Sequence, residues 1–377
     1  MRRVLHAVGR FLPRTETFIY TVVTHHQQYV ASVLCQSRIY VDEFPFPRVH
    51  VCTKPHSKRR VGWWVDASVA RATGRSPWRR AVEAVLEELE PDLVHAHFGP
   101  TACELAEITT AAGIPLVASL YGVDAAVLPY LPRWRGAYQR LFDAGSLFLA
   151  EGPEMRKKVI AAGAPIPRTA IQPISIDVAK YPRWRPADPP TVAFVGRFVE
   201  KKGLPDALAA FARAHTRLAG ARLVVVGAGA SEQEARDATN RLGIAPHVDF
   251  VGMKPHAEVI DLLATTRALI HPSVTAADGD SEGGAPTILL EAQAIGTPIV
   301  ATRHADIPNV VPDGPGVFLR DEHDVAGLAD ALALAFDDRQ RVDGAYVAAH
   351  HDVTAAMPRL ERHYRDAIAS RARAAAV

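Results

Sequence analysis

Short runs of β-branched and apolar residues alternate with stretches whose apolar positions recur every three or four residues, and this alternation repeats along the whole chain. It predicts strands joined by helices, the pattern of parallel sheets covered on both faces. In the first half the strand-like runs are 3–8, 92–97, 115–120, 146–150 and 169–173, with helical patterns such as 78–90 and 102–112 between them. In the second half they are 191–195, 221–226, 247–251, 268–270 and 298–301, and a basic helical pattern over 357–373 has no strand after it. Residues 181–190 hold four prolines and no periodicity, and so read as an interdomain linker. The expected architecture is two doubly wound, Rossmann-like α/β domains, 1–184 and 190–355, facing across a cleft. Residues 356–377 are expected to form a helix that returns to the first domain.

A chain of 377 residues exceeds the size at which one core keeps growing, in keeping with two domains. Its 48% hydrophobic and 22% charged residues are ordinary for a chain with a full core. A net charge of +2 gives no basis for nucleic acid as a partner. Cys35, Cys52 and Cys103 show neither C-x-x-C nor metal-ligand spacing and read as reduced thiols of a cytoplasmic protein. Met1-Arg2-Arg3 could begin a leader peptide, but the apolar run that follows is short and Gly9, Arg10 and Arg14 interrupt it, so a first strand fits better. No uncharged apolar run of about 18 residues appears, and no segment is expected to span a membrane. Residues 53–80 hold eight Lys or Arg against one acid, with Trp63, Trp64 and Trp78 interleaved. That mixture would suit an anionic membrane surface, with the protein peripheral on the inner face, while a solvated loop is the slightly favoured reading.

Ligands of open α/β sheets bind beyond the carboxyl ends of the strands, and two polar motifs stand there. In Phe194-Val-Gly-Arg-Phe-Val-Glu-Lys-Lys-Gly203 a strand ends at Gly196, Arg197 follows, and Lys202 precedes a helix start. Two cations beside a helix N-terminus suit a diphosphate; a solvated basic turn is the bland alternative. The second motif runs from His271 to Ala292, a Gly-rich loop carrying Glu282 and then a helix carrying Glu291. Both carboxylates can accept hydrogen bonds from sugar or ribose hydroxyls, against the alternative that they only face the helix N-terminus.

The order G-R-F-x-E-K-K-G, V-V-V-G-A-G, V-x-F-V-G and H-P-S…E-G…P…L-L-E-A-x-A-x-G-T-P-I-V-A-T resembles glycosyltransferase family 4. In the first half L-P-R-T-E-T-F-I, V-H-A-H-F-G, Y-G-V-D and E-G-x-x-M resemble the branch that contains colanic-acid and exopolysaccharide transferases. The resemblance implies a GT-B fold and metal-independent, configuration-retaining transfer of a hexose-type sugar from a nucleotide diphosphate to a saccharide or lipid-linked acceptor. It implies that Arg197 and Lys202 meet the donor diphosphate, Glu282 the donor sugar and Glu291 the nucleotide ribose. Gly196, Met253 and Lys254, with the loop residues Gly283, Gly284 and Thr287, complete the implied donor site. Glu16, His97, Tyr121, Asp124 and Glu151 are the acceptor-side candidates. The chain departs from the family in the length of its loop, with one residue more between Glu282 and Glu291. It also carries Tyr121-Gly122 where many members have His-Gly, and Gly9–Thr17 in place of a glycine-rich turn.

Other signals weigh less. Gly227-Ala-Gly229 is short of a dinucleotide fingerprint, since the third glycine position is Glu232. Asp278-Gly-Asp280 has the form of a metal-binding D-x-D but reads as a surface turn. His95 and His97 share one face of a strand, with His97 placed to reach the cleft and a packed histidine the alternative. Glu151 either faces the acceptor or caps the following helix. Two further functions stay open at this level, a nucleotide-sugar epimerase and a non-catalytic nucleotide-sugar-binding protein.

Overall fold

The computed structural model describes residues 1–54, 76–218, 220–284, 286–337 and 340–375. Seven strands form the first sheet: β1 (Arg2–Phe11), β2 (Tyr29–Arg38), β3 (Val49–Val51), β4 (Leu93–His97), β5 (Leu116–Leu120), β6 (Leu147–Ala150) and β7 (Thr169–Ile171). Six form the second: β8 (Thr191–Val195), β9 (Arg222–Val226), β10 (Val248–Gly252), β11 (Ala268–His271), β12 (Ile299–Thr302) and β13 (Val317–Arg320). The strand orders are β3-β2-β1-β4-β5-β6-β7 and β10-β9-β8-β11-β12-β13, and every pairing between these strands is parallel. The chain order reverses direction at β1 and at β8, which creates the crevice where ligands of doubly wound sheets bind.

Each sheet is buried on both faces, so its strands are nearly continuous apolar runs. Apolar clusters cover the two faces of the first sheet and the two faces of the second. β2, β3 and β13 were not among the expected strands. β3 has only three residues, and the Ala, Ser, Cys and Gln of β2 are weak strand formers whose place is decided by pairing with β1.

The proline-rich segment after β7 is strapped to the second domain rather than spanning open space. The Trp184 indole donates to the Thr266 carbonyl at 2.7 Å, and the backbone N–H groups of Trp184 and Arg185 bond the carbonyls of Ile295 and Ala264. The last helix, Val353–Ala375, starts four residues before the predicted pattern and lies on the first domain. Its Val353, Met357, Leu360, Tyr364 and Ala367 pack with Val4, Val8, Leu93 and Val117.

Candidate active site

A cavity of about 370 Å³ opens between the carboxyl ends of the two sheets, within the range for small-molecule sites. On the second domain its wall is built from the turn after β8, the loops after β10 and β11, and the helix Thr287–Ile295. On the first it is built from the segment after β1 and the ends of β4, β5 and β6. The turns after β8 and β9 touch closely: a Cβ on Gly227 would stand 1.9 Å from the Gly196 carbonyl oxygen. The Gly227-Ala-Gly229 turn is thus needed for packing against its neighbour.

Glu282 is buried at the centre of the second-domain wall. The Lys202 ammonium reaches its two oxygens at 2.7 and 2.9 Å, and the Ser273 hydroxyl donates to it at 2.9 Å. Its own backbone N–H donates to His304, which is anchored in turn by Glu322 at 2.6 Å. Burial pushes the Glu282 carboxyl up, but Lys202, His271 and Lys201 outweigh it and hold the group well below the usual carboxylate range. Glu282 is therefore a fixed carboxylate. Asp280 does not line the cavity: it pairs with Lys201 at 3.0 Å, and its N–H closes a turn on the Asp278 side chain.

Glu291 is buried one turn into its helix and accepts from His256 at 2.8 Å and from the Tyr181 hydroxyl at 3.3 Å. Burial pulls the His256 imidazole down, yet Glu291 more than compensates and raises it. Arg197 is exposed at the mouth, and its side chain has no hydrogen bond or ion pair among the described residues.

Across the cleft, Glu16 lines the cavity, and burial pushes its carboxyl up to about 7 against the pull of Arg197 and Arg10. Glu151 accepts from the Gly284 N–H, and burial, with Asp124, Glu282 and Asp306 nearby, pushes it well above the carboxylate range. The glycine loop is pressed onto this domain. A Cβ on Gly283 would lie 1.8 Å from the Tyr121 carbonyl oxygen, and one on Gly284 would lie 2.4 Å from Glu151 Cβ. Two further links cross the seam: Lys158 donates to the Ser281 hydroxyl, and Asp306 caps the helix Pro153–Ala161 by accepting from the N–H groups of Glu154 and Met155 at 3.0 and 2.9 Å.

The residues singled out from sequence thus fall into two groups. Gly196, Arg197, Lys202, Met253, Lys254, Glu282, Gly283, Thr287 and Glu291 line the cavity from one side, and Glu16, Tyr121 and Glu151 from the other. Gly284, His97 and Asp124 do not line it. Asp124 is buried with its carboxylate spent on the N–H groups of Gly99, Tyr121 and Gly122, at 2.8–3.0 Å, so it shapes the turn after β5 instead of facing an acceptor. His97 is fully buried behind Tyr121, whose hydroxyl lies 2.6 Å from its Nδ1. Sequence reading missed Lys201, Ser273, Tyr181 and His256. Lys201 adjoins a chosen lysine, whereas Tyr181 and His256 reach Glu291 only through folding. Of the basic segment 53–80, Trp63 and Trp64 lie outside the described residues. Trp78 packs on the first core beneath the Lys54 ammonium, 4.6 Å from its ring, and so is not a free surface ring.

Residues 181–349 match the family described as glycosyl transferases group 1. The colanic acid biosynthesis glycosyltransferase WcaL of Escherichia coli is 32% identical over 248 residues, which is 64% of this chain and 61% of that protein. The amylovoran biosynthesis glycosyltransferase AmsK of Erwinia amylovora is 30% identical over 64% of this chain and 60% of its own length. The chain thus spans about three fifths of the length of these relatives. The crystal structure of Anabaena HepE in complex with UDP and glucose superposes with a TM-score of 0.77 at 19% identity, covering 96% of this chain and 99% of that one. That likeness is one of fold: two Rossmann-like domains across a cleft, as expected.

Proposed function

We propose that this protein, whose residues 181–349 match the glycosyl transferases group 1 family, moves a hexose-type sugar from a nucleotide diphosphate to a hydroxyl of a saccharide or lipid-linked acceptor, in the making of a polysaccharide or glycoconjugate. The observation that carries the reading is the convergence of Arg197, Lys202, Glu282 and Glu291 on one cavity between two doubly wound sheets. The relatives named for colanic acid and amylovoran biosynthesis support the pathway class, and the UDP complex of the HepE fold neighbour makes a uridine donor the first to test.

As the sugar–phosphate bond breaks, negative charge grows on the diphosphate. Arg197 and Lys202 oppose it from positions set before the reaction, which is where preorganised charge acts most strongly. Glu282, held ionised, accepts from sugar hydroxyls, and Glu291 accepts from the ribose. We infer that these cations stand in place of a metal ion and that the departing phosphate takes the acceptor proton on the same face, retaining configuration. UDP-, GDP-, ADP- and dTDP-sugars would be ranked by protection against thermal unfolding, and nucleotide diphosphate release then followed with and without added acceptor. Release that depends on acceptor and survives EDTA is the expected result. An isomerised sugar from donor alone, no turnover at all, or activity that EDTA abolishes and manganese or magnesium restores would each overturn part of the reading.

A further inference from the structure

Behind the first-domain wall lies a set of buried histidines that the donor site does not use. His6, His95 and His97 are each no more than 2% exposed. Their rings are close enough for one metal ion, but each ring nitrogen already has a hydrogen-bond partner. The contacts form an unbroken line. From the last helix, Glu361 meets His26 Nδ1 at 3.3 Å; His26 Nε2 meets His6 Nε2 at 2.9 Å. His6 Nδ1 meets His97 Nε2 at 2.9 Å, and His97 Nδ1 meets the Tyr121 hydroxyl at 2.6 Å. Tyr121 lines the cavity.

A carboxylate can only accept, and a neutral imidazole carries one proton on one of its two nitrogens. Glu361 also accepts from the N–H groups of Gln27 and Gln28 at 2.8 and 3.0 Å, which favours its ionised form. With every ring neutral, His26 must then carry its proton on Nδ1. His6 must donate from Nε2 to His26, and His97 from Nε2 to His6. The Tyr121 proton is left to point at His97. No contact in the line is wasted or repulsive with this assignment. Burial keeps the His6 and His97 imidazoles neutral and the Tyr121 phenol protonated. The branch through His95 ends at the same place, since His95 bonds Tyr364 and Ser119, and the Ser119 hydroxyl lies beside the Tyr121 oxygen.

We propose that Glu361, through His26, His6 and His97, holds the Tyr121 hydroxyl with its proton turned inward, so that toward the cleft Tyr121 acts as a hydrogen-bond acceptor that selects a ligand hydroxyl over a phosphate oxygen. Glu361, His26, His6 and His97 are positioning residues in this scheme. The proposal rests on the nucleotide-sugar reading for the nature of that hydroxyl, but the direction of the line does not.

Two measurements test it on the full chain. Nitrogen-15 NMR of the histidine rings at neutral pH should show His26 protonated at Nδ1, and His6 and His97 at Nε2. A doubly protonated His26 with His6 and His97 protonated at Nδ1 would reverse the line and overturn the proposal, as would a stoichiometric metal ion lost on His6→Asn. Calorimetry with UDP-glucose and UDP as probes reads the ligand side. Tyr121→Phe should weaken UDP-glucose by about 3- to 10-fold, the worth of one hydrogen bond, and leave UDP within about twofold. Glu361→Gln, remote from the cavity, should move the His97 nitrogen signals and reproduce part of the UDP-glucose loss. Equal effects on UDP and UDP-glucose, or none from Tyr121→Phe, would refute the hydroxyl contact. If the wild-type protein bound no nucleotide sugar, the donor reading would fall while the ring signals still decided the direction of the line.

Discussion

Arg197 and Lys202 were paired by sequence as two equivalent cations, and their surroundings separate them. Arg197 is exposed, so Arg197→Ala should weaken UDP binding by about 10- to 100-fold, the range for a charge-assisted contact of about 1.5–3 kcal/mol, and leave the melting temperature unchanged. Lys202→Ala strips the partner from a buried carboxylate as well. It should destabilise the fold by about 3–5 kcal/mol, seen in thermal unfolding, and Glu282→Gln in the same chain should restore part of that. The acids divide similarly. Glu291→Gln should raise KM more than it lowers kcat, because the ribose is held alike in ground and transition states. Glu282→Gln should lower kcat more, since a carboxylate at the reacting sugar meets growing positive charge, and Asp280→Asn should be near normal. A collapse of kcat in Asp280→Asn instead would mean that the loop is read in the wrong register. Glu16 gives the pH dependence. With its carboxyl at about 7 in the fold, above its ordinary value of 4.5, it is neutral below pH 7 and gains charge above it. Its burial therefore weighs against stability as pH rises from 4.5 through 7. The new charge beside Arg197 should weaken UDP-glucose binding between pH 6 and 8, and Glu16→Gln should flatten that slope.

At the scale of elements, the loop between β11 and the helix Thr287–Ile295 joins the second-domain wall of the cavity to the opposite domain. Gly283→Ala would drive a methyl into the Tyr121 carbonyl, which neither backbone can yield without moving. It should cost about 1–3 kcal/mol in thermal unfolding and abolish turnover, while the distant Gly243→Ala control keeps full activity despite its own strain. The extra residue in this loop made its contacts hard to assign from sequence. Geometry supports Glu282 as the acid at the cavity, because Lys202 and Ser273 grip it while Lys201 draws Asp280 away. β11 and the helix after it were legible because each is a compact run of apolar residues flanked by polar punctuation. β2 and β13 were not, since β2 mixes weak strand formers into its run and β13 has only four residues, so each owes its shape to the neighbour it pairs with.

For the whole molecule, the two domains are tied by a few polar contacts whose loss should be measurable. Asp306→Ala removes a cap that the second domain places on a helix of the first, and should lower stability by about 0.5–2 kcal/mol and reduce the extra protection that UDP-glucose confers. No described helix is long and apolar enough to cross a membrane. The alternation of strand and helix patterns determined two parallel, doubly wound sheets, and placing motifs after strands picked out second-domain residues that line the cavity, Gly284 excepted, because strand ends in such sheets converge on one crevice. Those inferences rest on local periodicity, which a chain carries in its order of residues. What only the tertiary structure decided is long-range: that Asp124 and His97 turn away from the cleft, that Tyr181 and His256 hold Glu291, and that Glu361 on the last helix joins His26, His6 and His97 behind Tyr121. Apart from the local turn that Asp124 closes on Tyr121 and Gly122, each depends on residues far apart in the chain meeting through packing between elements, and hydrophobic periodicity specifies which face is buried without specifying which polar atoms will meet there.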